Sequence, residues 1–180
     1  EMKMAWIGVL DPDTSMITVA ASVGDHAEEY LQGLFVTIDD GSPLGRGPTG
    51  TVARENRPMW NQDFQTNPSM LPWRELAARV GYRASAALPL RRDEGVVGVL
   101  NVYAGEVGIF DEAVRKLLLE LAADISFALE NFAREAAREQ AQNALRLADT
   151  QFRSMIEQTM TGIHITQDDK MVYVNPRLCE

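Results

Sequence analysis

Cysteine is nearly absent from this chain: Cys179 is the only one in 180 residues. A lone thiol closes no internal disulfide and supplies no thiolate zinc cluster. Cys179 reads as a small apolar core residue of the last segment. Histidine is almost as scarce. His26 and His164 lie far apart with no second ligand three or four residues away, so no metal site is expected, and a single histidine as a haem ligand stays open. Positive charge is also short, with 17 Lys and Arg against 26 Asp and Glu and a net charge of -9. That balance opposes a phosphate-neutralising surface, so neither nucleic acid nor an anionic membrane is an expected partner. No apolar run approaches the ~18 residues of a membrane span, and no charged-then-apolar signal segment opens the chain. The expected location is cytoplasmic. Aromatic residues are only 7% of a chain that is 46% hydrophobic, an ordinary composition for one globular core plus appendages.

What is present is an ordered series of short elements. Residues 5–10 and 16–22 are apolar, β-branched runs around Asp-Pro-Asp-Thr-Ser, which predicts a hairpin. Residues 27–34 carry Tyr30, Leu31 and Leu34 at helical spacing, and residues 36–38 enter a short strand. A glycine-rich loop over 41–50 leads into a helix that Pro48 is placed to start. A short strand is predicted at 58–61, a polar loop to Met70, and a helix over 72–80. Residues 84–90 and 96–103 flank Arg-Arg-Asp-Glu-Gly and form the clearest hairpin. From Asp111 the period becomes helical. Leu118, Leu121, Ile125, Ala128 and Phe132 keep the three-and-four alternation of a seam, and Leu145, Ala148, Phe152 and Met155 resume it in a shifted register. The intervening alanine-rich polar stretch is either a solvated linker or, as we favour, part of a parallel homodimeric coiled coil that carries a signal.

No catalytic constellation is visible. There is no G-x-S-x-G, Ser69 and Ser85 have no obvious histidine partner, and the adjacent Asp39 and Asp40 point in different directions. The expectation is a domain without enzymatic activity. Gly45-Arg46-Gly47-Pro48-Thr49-Gly50 matches G-x-G-x-x-G in form, but it lacks the strand before it and the acidic residue at a second strand end that a dinucleotide site needs. A binding pocket fits better. Trp60, Asn61, Asp63, Phe64, Trp73 and Tyr82 mix aromatic faces with polar groups around the 62–70 loop; they serve equally well as a small core. Arg83, Ser85 and Ala87 share one face of their strand, and Ala84, Ala86 and Leu88 the other. So many small side chains leave room over the sheet for a cavity or a closely packed helix.

The segments AWIGVLD, ITVAAS, GSPLGRGPTGTVARENRPMWNQD, GYRASAALPLRRDEGVVGVLNVY and GIFDEAVRKLLLELAADISFALEN together resemble a GAF domain. The resemblance runs from about residue 4 to 132 and implies an α+β fold, an antiparallel sheet of five or six strands flanked by helices, with a long C-terminal helix. The family's opening helix is missing or truncated. FRSMIEQTMTGIHITQDDKMVYVNPRLCE resembles the truncated start of a PAS domain. The expected organisation is therefore a sensory domain over 1–132, a helical signalling linker over 133–151 and a PAS start over 152–180. The resemblance implies a bacterial multidomain signalling protein in which PAS and output domains are expected to follow: diguanylate cyclase, cyclic di-GMP phosphodiesterase or histidine kinase. The resemblance implies an unknown small molecule in a pocket over the sheet, or a ligand-free structural dimerisation module. Phe110, Asp111 and Glu112 stand together and no lysine lies between Lys3 and Lys116, which departs from the cyclic-nucleotide signature. The cofactor is unknown, and no covalent bilin is expected because residues 1–132 contain no cysteine. A redox activity like that of the family's free-methionine sulfoxide reductases calls for pocket cysteines too, and ranks last.

Overall fold

The computed structural model describes residues 1–93, 95–158, 161–168 and 170–178; Cys179, read above as a core residue, lies outside them. The chain divides into two compact units, Glu1–Asn131 and Phe132–Glu180.

The first unit is built on a six-stranded antiparallel sheet. β1 (Met2–Leu10) and β2 (Met16–Gly24) form the predicted hairpin, with the Asp11 carboxylate accepting the Asp13 N–H at 2.9 Å inside the turn. The short helix α1 (Ala27–Leu31) and the two-residue strand β3 (Val36–Thr37) follow. Next come α2 (Pro48–Glu55) and β4 (Met59–Asn61). A 3-10 turn (Pro68–Trp73) then runs into α3 (Arg74–Arg79). The sequence predicts one helix over 72–80; Pro68 and Pro72 each remove a backbone donor, and the chain tightens into the 3-10 form before the α-helix begins. β5 (Ala84–Arg92) and β6 (Gly95–Ala104) make the central hairpin. The strand order is β3-β2-β1-β6-β5-β4.

The pairing of β5 with β6 sets Ala84 opposite Ala104, Ala86 opposite Val102 and Leu88 opposite Leu100. These residues and Leu90 form a core with Phe110, Leu118 and Ala122. The alternate residues Ala87, Val99 and Tyr103 face the other way, into a second core with Trp6, Phe64, Trp73 and Tyr82. Because side chains alternate along a strand, two strands serve two cores.

The helix α4 (Glu112–Glu157) holds neither glycine nor proline, so nothing in its sequence breaks it. Asp111 caps it, accepting the Val114 N–H at 2.8 Å. Leu118, Ala122 and Ile125 pack on the sheet. The Ser126 hydroxyl accepts the Arg91 N–H at 3.0 Å, a polar tie between the end of β5 and the helix. The single seam predicted from Leu118, Leu121, Ile125, Ala128 and Phe132 is thus divided. Leu118 and Ile125 belong to the sheet core, while Leu121, Ala128 and Phe132 are exposed. A helix that covers a sheet uses an apolar stripe wider than an a/d seam, and its outer edge is left over. Leu145 and Phe152 are exposed as well.

In the second unit, β7 (His164–Gln167) and β8 (Lys170–Val174) pair antiparallel. Asn175 is fully buried and is the clasp of this unit. Its Oδ1 accepts the Ile163 N–H at 2.7 Å and the Leu178 N–H at 3.3 Å. Its Nδ2 donates to the carbonyls of Ile156 at 3.1 Å and Thr161 at 3.0 Å. One amide thereby binds the end of the helix, the start of the hairpin and the turn beyond it.

Leu88 is fully buried beneath α4. Leu88→Ala is expected to lower unfolding free energy by about 2–5 kcal/mol, read as a shifted urea midpoint with an unchanged slope.

Candidate functional site

The face of the sheet away from α4 carries a small cavity. Its floor is Trp6, Ser85, Asn101 and Tyr103, its side is Tyr30, Leu34 and Val36, and its cover is Gly47 to Gly50 together with Met70 and Trp73. The cover lies close because it is glycine-rich. A Cβ on Gly47 would stand 2.4 Å from the Trp73 ring, and one on Gly50 2.4 Å from the Thr37 carbonyl oxygen. The loop that matches G-x-G-x-x-G in form therefore has a packing role. The strand before it, β3, is only two residues long, and the glycines let the first turn of α2 approach the sheet.

Polar groups are placed where an apolar core would be expected. Asn101 is 2% exposed and Ser85 4%. The Thr49 hydroxyl donates to Asn101 Oδ1 at 2.7 Å, and Asn101 Nδ2 donates to the Val99 carbonyl at 3.3 Å. No hydrogen bond from another residue reaches the Ser85 hydroxyl among the described residues. Among the described residues, no charged side chain lines the cavity. The space open to the centre of a water-sized sphere is about 20 Å³, room for roughly one water molecule.

Behind it stands a tyrosine cluster. The rings of Tyr30, Tyr82 and Tyr103 lie 5.1–5.2 Å apart, centroid to centroid. Trp6 Nε1 donates to the Tyr103 hydroxyl at 3.4 Å, and the Tyr82 hydroxyl donates to the Asp25 carbonyl. Burial, followed by the neighbouring Tyr103, raises the Tyr82 phenol from 10.0 to about 12. Burial also raises Tyr30 and Tyr103.

Of the residues predicted from sequence, Trp73 and Ser85 line the cavity. Phe64, Tyr82 and Ala87 lie in the surrounding core. Asn61 is buried and accepts the Asn67 amide at 2.9 Å, and Asp63 caps its own loop by accepting the Gln65 N–H at 2.9 Å. Arg83 is exposed. Trp60 is not with the others. It packs on the α4 face against Phe110, ring centroids 5.9 Å apart, with the Arg115 guanidinium 5.4 Å from its ring. Being one residue from Asn61 on a strand, it must point the opposite way. Sequence reasoning missed Trp6, Tyr30, Thr49, Asn101 and Tyr103. One signal was available: Asn101 interrupts the apolar run VVGVLNVY, and a polar residue inside a buried strand needs a partner.

Comparison with known proteins agrees with this architecture. The GAF domain profile matches residues 1–130, and the chain belongs to the GAF domain family. The GAF domain region of a Geobacter sulfurreducens PCA protein is 25% identical, with a TM-score of 0.55 over 72% of this chain and 82% of its own. A domain from a Sinorhizobium meliloti 1021 protein named as a two-component sensor histidine kinase is 18% identical, with a TM-score of 0.57 over 76% and 84%. The free methionine-R-sulfoxide reductase of Neisseria meningitidis, solved with its substrate, is 21% identical, with a TM-score of 0.59 over 75% and 71%. The last two likenesses show the fold alone. No curated protein matches the chain. The expectation of a domain without enzymatic activity is corrected by these neighbours. Reductases of this kind from Neisseria meningitidis, Staphylococcus aureus and Thermoplasma acidophilum share the fold at 14–21% identity, so the fold is shared with enzymes and gives no ground for excluding an activity. No helix among the described residues is long and apolar enough to cross a membrane.

Two outcomes follow from this geometry. Thr49→Val keeps the shape but leaves Asn101 Oδ1 without its donor, and is expected to reduce stability by about 1–3 kcal/mol; Thr49→Ser is expected to restore most of it in the same urea titration. The second outcome concerns pH. Tyr82 holds its proton to about 12 when folded, whereas the unfolded phenol ionises near 10.0. Its stabilising contribution is complete below pH 10.0 and is lost as pH rises through about 12, because only the unfolded chain has released the proton in that window. Urea midpoints measured across this window should fall while phenolate absorbance of the folded protein lags that of free tyrosine.

Proposed function

We propose that this chain is a sensory module of a signalling protein, in which a small molecule occupies the cavity over the sheet and the response leaves through α4. The observation that carries this reading is the trio of Thr49, Ser85 and Asn101, polar side chains gathered on the wall of the cavity. A core evolved only for packing gains little from such groups, since polar side chains brought out of water must each find a hydrogen-bond partner. The domains that similar structures come from, a sensor histidine kinase protein and a phosphoenolpyruvate-protein phosphotransferase, support a regulatory role.

On this reading residues 1–132 sense, 133–151 link, and 152–180 begin a PAS domain that passes the signal to a diguanylate cyclase, cyclic di-GMP phosphodiesterase or histidine kinase in the cytoplasm. A homodimer forms along the exposed apolar residues Leu121, Phe132, Leu145 and Phe152, while Leu118 and Ile125 stay with the sheet. Two helix packings of similar energy would give the module its two states. A second reading, a ligand-free dimerisation module, is favoured by the small size of the cavity.

Native mass spectrometry of gently purified protein separates them. A dimer with extra mass is the expected result. A bare dimer that gains no thermal stability on dialysis against cell extract metabolites would favour the second reading, and a monomer would overturn the dimer.

A further inference from the structure

The cavity's lining says which ligands it rejects. We infer that it takes an uncharged, planar heterocycle bearing a carbonyl acceptor, and refuses phosphate esters, carboxylates and zwitterions; this rests on the ligand-sensing reading above. Charge is the first argument. Among the described residues, no ionisable side chain except the neutral phenols of Tyr30 and Tyr103 touches the space. The arginines nearest the cover are already engaged with backbone carbonyls. Arg46 Nε donates to Asp40 at 2.7 Å, Arg54 Nη1 to Ile38 at 3.0 Å and Gly45 at 3.2 Å, and Arg74 Nη2 to Asn67 at 3.1 Å. An anion would enter desolvated and unpaired, which is strongly unfavourable.

The walls give the shape. Trp6, Tyr30, Trp73 and Tyr103 surround the space, and aromatic walls favour a flat apolar body with a few polar edges. The unspent polar groups give the edge chemistry, and most are donors. Asn101 Oδ1 is taken by Thr49, and one Nδ2 hydrogen by Val99, leaving the second. The Ser85 hydroxyl is free to donate. The first bond back from α2 is the Thr51 N–H to the Gly47 carbonyl at 3.0 Å, so the Thr49 and Gly50 N–H groups have no intrahelical acceptor. A ligand that brings carbonyl oxygens satisfies these donors at the positive end of α2 without carrying a net charge.

Entry requires the cover to move, since the present space fits roughly one water molecule. Met70 is the adaptable member and Trp73 the seal against Gly47. The test uses the whole chain with methyl-labelled methionine and observes the Met70 methyl and Trp73 indole resonances. Uracil and 2-pyridone are the neutral probes. Orotate, the uracil ring with a carboxylate, and cyclic AMP are the anionic ones. Uracil or 2-pyridone is expected to shift both resonances saturably, orotate and cyclic AMP to shift neither, and Ser85→Ala to weaken the neutral probe about three- to tenfold. Binding of orotate or cyclic AMP as tight as that of uracil would overturn the neutral class and leave the sensing reading standing. No shift by any of the four in the natural chain or in Trp73→Phe, which loosens the seal, would overturn the neutral-heterocycle class, and the sensing reading falls with it only if native mass spectrometry also shows a bare protein.

Discussion

Everything in the first unit hangs on the register between β5 and β6. Leu88 faces Leu100 and Ala86 faces Val102, and these pairs look toward α4, while Ser85, Asn101 and Tyr103 look toward the cavity. A one-residue slip of β6 against β5 would exchange the faces of β6, placing Asn101 under the helix and Leu100 in the cavity. Both assignments are unfavourable for the same reason: polar groups would lose their partners and large apolar ones their seats. The two cores therefore fix each other.

The two cores are packed differently. On the α4 side the sheet presents Ala84, Ala86 and Ala104, small residues that let a helix settle close. On the other side large rings gather around a few hydroxyl and amide groups, and the cover is brought near by glycine rather than by large side chains. Tightness on the first side holds the frame, so the second can tolerate buried polar groups whose hydrogen bonding is incomplete. A small domain has little stability to spare, and this division confines the unfavourable groups to one place.

Much of the fold was legible because its signals are local. The alternation in ASAALPL and VVGVLNVY, the Asp-Pro-Asp turn and the change of period at Asp111 each report on a few neighbouring residues. The site was less legible because its members are far apart in sequence: Thr49 meets Asn101 across 52 positions, and Trp6 meets Tyr103 across 97. Grouping Trp60 with Phe64 and Trp73 by nearness failed where the parity of β4 against β5 decides. Trp60 pairs with Ala86 and Asn61 with Ser85, so adjacent residues serve opposite cores. The seam on α4 was divided for a related reason, since spacing defines a stripe but not what covers each edge of it.

The clasp of the second unit carries a further consequence, in chemical ageing rather than in folding. Asparagine side chains degrade when the next residue's backbone nitrogen attacks the amide and closes a five-membered imide. Asn175 is followed by Pro176, whose nitrogen bears no hydrogen and is already fully substituted. The amide that ties together Ile156, Thr161, Ile163 and Leu178 is thereby shielded from the commonest spontaneous lesion of its residue type. This joint, with these four hydrogen bonds, is also one that time does not readily convert to a charged acid.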